Sequence, residues 1–264
     1  MQTILITGAA GGMGYAAAKR LALNGDTVIG LDLRLPEPVE GARFLQVDLT
    51  DPDAVAAVFG RLQKDGVRLD GVLHMAGMYE LDSLVEMGEQ EWQRVLAVNL
   101  SAAWRVNRES LPLLAPGAKI VLTTSELAPL YPLPFTGIYA VTKAALDKYA
   151  DALRMELQLL GHPVVVLRPG AVDTGLLDVS TRRLDDFCAG TTHYQIGAET
   201  FRRVVNRVEA RKIPPEQVAA LAEKILRKKR PRAVYSINRN PLLLLLNALP
   251  KSWQRRIIRR LLQP

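Results

Sequence analysis

Thr3-Ile4-Leu5-Ile6-Thr7 is a β-branched, apolar run at the start of the chain, the pattern of a strand buried on both sheet faces. A glycine-rich stretch, Gly8-Ala9-Ala10-Gly11-Gly12-Met13-Gly14, follows and passes into alanine-rich helical sequence that ends at Asn24-Gly25. Gly25 suits that end, because glycine enters the left-handed region without a Cβ clash. Similar apolar runs predict strands over 27–32, 44–49, 71–75, 119–124 and 163–167. Helical stretches lie between them. One is capped by Thr50-Asp51-Pro52, with proline in its first turn. A long one covers about 88–111, and another covers about 139–160 and stops at Gly161. Strands alternating with helices in this way predict an α/β protein on a single doubly wound parallel sheet flanked by helices.

A chain of 264 residues with 48% hydrophobic and 23% charged side chains can bury the core of one large α/β domain, which excludes disorder. Its one cysteine, Cys188, excludes an internal disulfide and a multi-cysteine zinc site, so no metal is expected. The leucine run Leu242–Leu246 is bounded by Pro241 and Asn247, well short of the roughly 18 apolar residues a membrane span needs. No basic stretch precedes an apolar one at the N-terminus, so a cytoplasmic location is expected.

The formal charge is +7, from 34 Lys and Arg against 27 Asp and Glu, with a pI near 9.6. That excess is unevenly spread. From Arg202 onward there are 17 basic and 3 acidic residues, a net of +14, so the first 201 residues carry −7. An acidic body with a basic tail makes nucleic acid an unlikely partner and directs attention to the tail.

A buried strand, a glycine turn and a helix N-terminus together bind pyrophosphate for a physical reason. Glycines let the backbone approach the phosphates, and the helix start presents free N–H groups and partial positive charge. Asp32 ends the second strand 18 residues after Gly14. A carboxylate there hydrogen-bonds the adenosine ribose hydroxyls and repels a 2′-phosphate, favouring NAD over NADP. Arg34 works the other way, since an arginine at this place accommodates the phosphate.

The spacing Thr7-Gly8-x-x-x-Gly12-x-Gly14 resembles that of the short-chain dehydrogenase/reductase family, and further landmarks follow in family order. They are Asp48, His74-Met75-Ala76-Gly77, Asn99, Ser125, Tyr139-Ala140-Val141-Thr142-Lys143 and Arg168-Pro169-Gly170-Ala171-Val172-Asp173-Thr174. The resemblance is strong through about Thr174 and looser beyond. It implies a Rossmann-type catalytic domain over 1–240, with a substrate flap at 175–200 and a basic extension over 241–264. It also implies that Gly8, Gly12, Met13, Gly14, Asp32, Arg34, Asp48, Leu49, Ala76 and Gly77 hold the dinucleotide. Tyr139, Lys143, Pro169, Gly170, Val172 and Thr174 join them, with Thr174 on the nicotinamide carboxamide.

Tyr139 and Lys143 are four residues apart, so at the start of a helix they share one face. A free phenol titrates near 10, too high for a base at neutral pH. A neighbouring ammonium and a positive nicotinamide ring are expected to lower that value. The resemblance gives Tyr139 proton exchange with the substrate oxygen and Lys143 the ribose hydroxyls. It gives Ser125 a hydrogen bond to the substrate oxygen and Asn99 a water-linked proton path. One spacing departs from the family: Ser125 lies 14 residues before Tyr139 rather than 12 or 13, with Glu126 at 13. A longer loop over 127–134 could absorb the difference, and Thr124 is the alternative hydroxyl. His74 stands where the family has asparagine. Arg168 reads as a structural strand-end residue, and His162 and His193 as surface or loop residues.

The loop Pro134-Phe135-Thr136-Gly137-Ile138 resembles members acting on steroids, retinoids and other lipophilic alcohols. The flap mixes Leu176, Leu177, Phe187 and Tyr194 with Arg182, Arg183, Asp185 and Asp186, which permits an apolar pocket without naming a substrate. In the tail, Trp253, Ile257, Ile258, Leu261 and Leu262 share one half of a helical wheel, and Arg255, Arg256, Arg259 and Arg260 the other. Such a helix either attaches peripherally to an anionic membrane surface or packs on the fold or a second subunit. The expected function is NAD(P)-dependent interconversion of a lipophilic secondary alcohol and a ketone, in a homo-oligomer like those the family builds from its two long helices. The alternatives are a catalytically silent dinucleotide-binding regulator, against which Ser125, Tyr139 and Lys143 argue, and a membrane-surface scaffold.

Overall fold

The computed structural model describes residues 1–209 and 211–263; of 176–182 and 206–209 only the backbone is described. Its strands are β1 (Thr3–Thr7), β2 (Thr27–Asp32), β3 (Ala42–Gln46), β4 (Leu69–His74), β5 (Leu114–Thr123), β6 (Val164–Pro169) and β7 (Val234–Ile237). All pair in parallel, in the order β3-β2-β1-β4-β5-β6-β7. The chain thus leaves β1 towards one edge and returns through β4 to build the other. Loops diverge at that reversal, which opens a crevice at the carboxyl ends of β1 and β4.

Alternate residues of the central strands serve two helical layers. Leu5, Ile29, Val72 and Ile120 pack with α2 (Pro52–Lys64), α4 (Ala102–Ser110) and α5 (Gly137–Leu157). Ile4, Ile6, Val28 and Leu73 face α1 (Gly12–Leu23) and α8 (Pro215–Arg227). Asp51 caps α2 by accepting from the Asp53 and Ala54 amides, and Pro52 is its first residue. Gly25 and Gly161 hold the left-handed turns that close their helices, at φ 83° and 79°.

Several boundaries differ from the sequence pattern, each for a local reason. The third strand lies at 42–46 rather than 44–49, because Asp48 turns back to accept from the Thr50 amide and hydroxyl. The long helix expected over 88–111 is α3 (Glu89–Leu96), a π-helical turn at Ala97–Ser101, and α4. That wider turn holds Asn99, whose side chain clasps the Met78 backbone on both its N–H and its C=O. β7 escapes the pattern altogether: it has four residues and only Tyr235 is buried.

Beyond β6 lie α6 (Gly175–Gly190), α7 (Gln195–Glu209), α9 (Pro241–Ala248) and α10 (Lys251–Leu262). A small third core of Leu81, Leu184, Phe187, Ala198, Phe201 and Val205 joins α6 and α7 to the body, with Leu133, Phe135 and Leu262 against it. Among the described residues, no helix is long and apolar enough to cross a membrane.

Candidate active site

The crevice holds a groove of about 570 Å³ bordered by the β1–α1 turn, the ends of β2 and β3, and the loop after β4. Gly8, Gly12, Met13, Gly14, Asp32, Arg34, Asp48, Leu49, Ala76, Gly77 and Thr174 all line it. The glycines are sterically required. A Cβ at Gly14 would lie 2.1 Å from the Gly8 carbonyl oxygen, and one at Gly12 would lie 2.5 Å from Thr174 Cγ2. Gly8 itself sits at φ 68°, against Ala76. No side chain caps α1 at Gly11, so its first-turn amides remain available to an anion. Asp32 accepts from the Ala10 amide (2.9 Å) and the Arg34 amide (3.2 Å), which ties it to the glycine turn. A bare helix start, backbone that admits no Cβ and a strand-end carboxylate together fit a dinucleotide.

A second cavity of about 140 Å³ shares Met13, Met75, Gly77 and Thr174 with the groove. Ser125, Tyr139, Lys143, Pro169, Gly170 and Val172 border it. Its remaining wall is largely apolar: Met78, Leu127, Leu133, Phe201, Val204, Val205 and Leu243. The pocket therefore reaches past the expected flap limit at 200 into α7, and takes one wall from the tail. The side chains of Leu176, Leu177 and Arg182 lie outside the described residues.

Tyr139 and Lys143 rise from the first turns of α5, and the Lys143 ammonium stands 5.7 Å from the Tyr139 ring centroid. Ser125 borders the same cavity as Tyr139 despite the longer spacing, and it pulls the phenol pKa down. Thr124, the alternative, donates to Asp147 (2.9 Å), which also holds Arg168. Burial dominates both titrating groups. It pushes the Tyr139 phenol up to about 12, against the pull of Ser125, and pushes Lys143 down to about 8. The downward shift of Tyr139 expected from its neighbour is thus not found: the buried ammonium itself is disfavoured, and the phenol is further raised by Glu126.

Asn99 borders neither large cavity. It sits behind Gly77, where a Cβ would come within 3.2 Å of Lys143 Nζ and 3.4 Å of Asn99 Oδ1. Its amide also donates to Thr142. His74 is a buried partner of Asn107 (2.8 Å), held near pKa 4 by desolvation. His162, expected at the surface or in a loop, lies in the loop before β6 and is buried there, its ring reaching the Ala118 carbonyl (3.2 Å); His193 is exposed.

Two wall residues had no sequence signal of their own. Glu126 is buried beside Ser125, accepts from the Asn240 amide (2.6 Å) and is raised by burial. Tyr79 packs edge-on against Tyr139, with ring centroids 4.5 Å apart. α6 is tied to the body at a distance from the pocket by Arg183, which reaches Glu80 (2.5 Å) and Glu91 (2.8 Å). Burial raises Glu80 to about 8, while Glu91 falls to about 2 under Arg94 and Arg183. Among the described residues no cluster of His, Cys, Asp and Glu could hold a metal.

A dinucleotide groove that opens into a pocket lined by a serine, a tyrosine and a lysine defines an oxidoreductase acting on CH–OH groups. The chain belongs to the short-chain dehydrogenase family, whose model matches residues 2–184. It is 26% identical over 256 residues to a 3-ketodihydrosphingosine reductase of Bacteroides thetaiotaomicron, covering 96% of this chain and 93% of that protein. It is 32% identical over 191 residues to mouse estradiol 17-beta-dehydrogenase 2, covering 66% of this chain and 49% of that one. A short-chain dehydrogenase from Streptomyces avermitilis superposes with a TM-score of 0.77 at 20% identity, over 98% of this chain and 96% of that chain, which shows the shared fold. Members of the family bind NAD(P).

Proposed function

We propose that this chain interconverts a lipophilic secondary alcohol and its ketone with NAD(H) as the preferred cofactor. The carrying observation is the Ser125–Tyr139–Lys143 group at the wall of an apolar cavity that joins the dinucleotide groove. The bound dinucleotide supplies the hydride carrier. Tyr139 exchanges a proton with the substrate oxygen, and Ser125 orients that oxygen by a hydrogen bond. Burial raises the Tyr139 phenol to about 12, so Tyr139 holds its proton at neutral pH and can donate it to a ketone oxygen. Lys143 holds the ribose and supplies the charge that steadies phenolate. Asn99 fixes the Met78 backbone and the α5 helix behind them.

Asp32 supports NAD, being fixed at the strand end by two backbone amides. The alignment with the 3-ketodihydrosphingosine reductase covers 96% of this chain and supports a long-chain ketone as substrate. A second apolar groove, lined by Tyr131, Pro132, Leu133, Ile258 and Leu262, shares Leu133 with the cavity and offers a bed for such a chain. Trp104, Leu111 and Val141 are exposed on or beside α4 and α5, which supports pairing of two copies through those helices. A screen of long-chain, steroid and aliphatic ketones and alcohols, each with NADH or NADPH and the oxidised forms, tests the reading. The expected result is NADH-dependent turnover of a long-chain ketone; turnover of small polar substrates alone would overturn it.

A further inference from the structure

α10 carries its apolar residues in two stripes, not one. Gln254, Ile258 and Leu262 turn inward: Gln254 is 3% exposed, and its amide donates to the Leu249 carbonyl (2.7 Å). Ile258 and Leu262 line the groove against Tyr131–Phe135. This packing fixes the rotation of the helix. Trp253, Ile257 and Leu261, one turn apart from each other, are consequently left outward at 57%, 36% and 57% exposure. α9 repeats the arrangement, with Leu243 in the cavity wall while Leu242 and Leu245 face out at 65% and 66%.

The charge beside these stripes is of one sign. Arg256 and Arg260 flank Trp253, Ile257 and Leu261 on the wheel, and Lys251, Arg255 and Arg259 follow around the helix. No acidic residue occurs from 241 to the end. Among the described residues, none of these five cations forms an ion pair.

We propose that the outer face of α9 and α10 docks on an anionic lipid bilayer, with Trp253, Ile257, Leu261, Leu242 and Leu245 in the interface and the flanking arginines on the headgroups. Apolar side chains rimmed by unpaired arginine match the two layers of such a surface, acyl chains below and phosphates above. A second copy of this chain is a poor occupant. A two-fold contact would bring the same arginine rows together, at a Coulombic cost. Nucleic acid would use the cations but has no place for the leucine, isoleucine and tryptophan stripe. The inference rests on the surface of the tail and does not depend on the substrate reading.

The test is co-sedimentation of the full chain with phosphatidylcholine vesicles, with and without phosphatidylglycerol. Two double variants are compared, Trp253→Ser with Leu261→Ser and Arg256→Glu with Arg260→Glu. None of these side chains lines the cavity or either groove, so thermal unfolding should be unchanged. Retention on the anionic vesicles is expected for the unaltered chain and should fall about tenfold or more in each variant. The proposal is overturned if the unaltered chain is not retained, or if both variants bind as well as it does. It is equally overturned if the chain is a lipid-free dimer that these same substitutions dissociate.

Discussion

The Ser125 side chain and the Tyr139 phenol share the wall of the apolar cavity, and Ser125 draws the phenol towards ionisation. Both belong to rigid elements, Ser125 just past β5 and Tyr139 in the first turn of α5. That pull acts against the desolvation that raises the phenol. Tyr139→Phe removes the more acidic of the pair's two hydroxyl protons, the one proposed to pass to the substrate oxygen. Turnover should fall by about 10²–10⁴-fold, while NADH binding, followed by quenching or enhancement of cofactor fluorescence, stays within a factor of a few. Ser125→Ala should lower kcat less severely and move the alkaline limb of the pH–rate profile upward, since a contribution that lowers the phenol pKa is lost. Activity of Tyr139→Phe near that of the unaltered chain would rule out the proton-transfer assignment.

Asp32 makes two bonds to backbone amides, so its carboxylate is held in one place at the groove edge. A fixed negative charge there discriminates against a 2′-phosphate, and Arg34 is exposed two residues on. Asp32→Ser keeps a hydrogen-bonding side chain and removes the charge. The ratio of kcat/KM for NADPH over NADH should rise about tenfold or more, equivalent to about 1.4 kcal/mol. An unchanged ratio would mean that the groove selects its cofactor elsewhere.

How much of this was legible in the sequence differs from place to place. The β1–Gly14 unit could be read because its conformation admits few alternatives: an apolar strand, then backbone packed too closely for any Cβ. The π-helical turn around Asn99 could not, because a single widened turn leaves the apolar periodicity of the long helix intact. β7 is too short and too exposed to alternate clearly. The extra residue between Ser125 and Tyr139 is taken up in a loop where Phe135 adopts φ 62°, a conformation no side-chain pattern announces. In α10 the wheel grouped five apolar residues, yet the fold divides them. It buries polar Gln254 in their place, because the end of α9 offers carbonyls to its amide.

Arg183 links the flap helix α6 to Glu80 and Glu91 on the body, and it is one-third exposed at most. Burial raises Glu80 while Arg94 and Arg183 hold Glu91 low, so the clamp rests on the two guanidinium groups facing this carboxylate pair. Arg183→Met leaves the cavity lining untouched. It should raise KM for a long-chain substrate severalfold with little change in kcat, and increase hydrogen exchange in α6. A proportional loss of kcat with no KM effect would count against a role in holding the flap.

Lys143 is buried to 5% exposure, and its ammonium has a pKa near 8 instead of 10.5. The folded state therefore releases its proton earlier than the unfolded chain does. Between pH 8 and 10 the unfolded chain binds more protons, so stability should rise with pH across that window. Above pH 10 the sign reverses, because the folded Tyr139 keeps its proton to about 12. At neutral pH the charged Lys143 costs the fold about 3 kcal/mol, offset in part by its bond to the Thr123 carbonyl (3.3 Å). Lys143→Met removes both the cost and the bond. In denaturant titrations it should be more stable than the unaltered chain by about 1–3 kcal/mol at pH 7, with that gain vanishing by pH 10. Its turnover should be lost at both pH values, since neither ribose nor phenolate then meets a cation. A variant destabilised equally at pH 7 and pH 10 would show that the buried ammonium is compensated elsewhere.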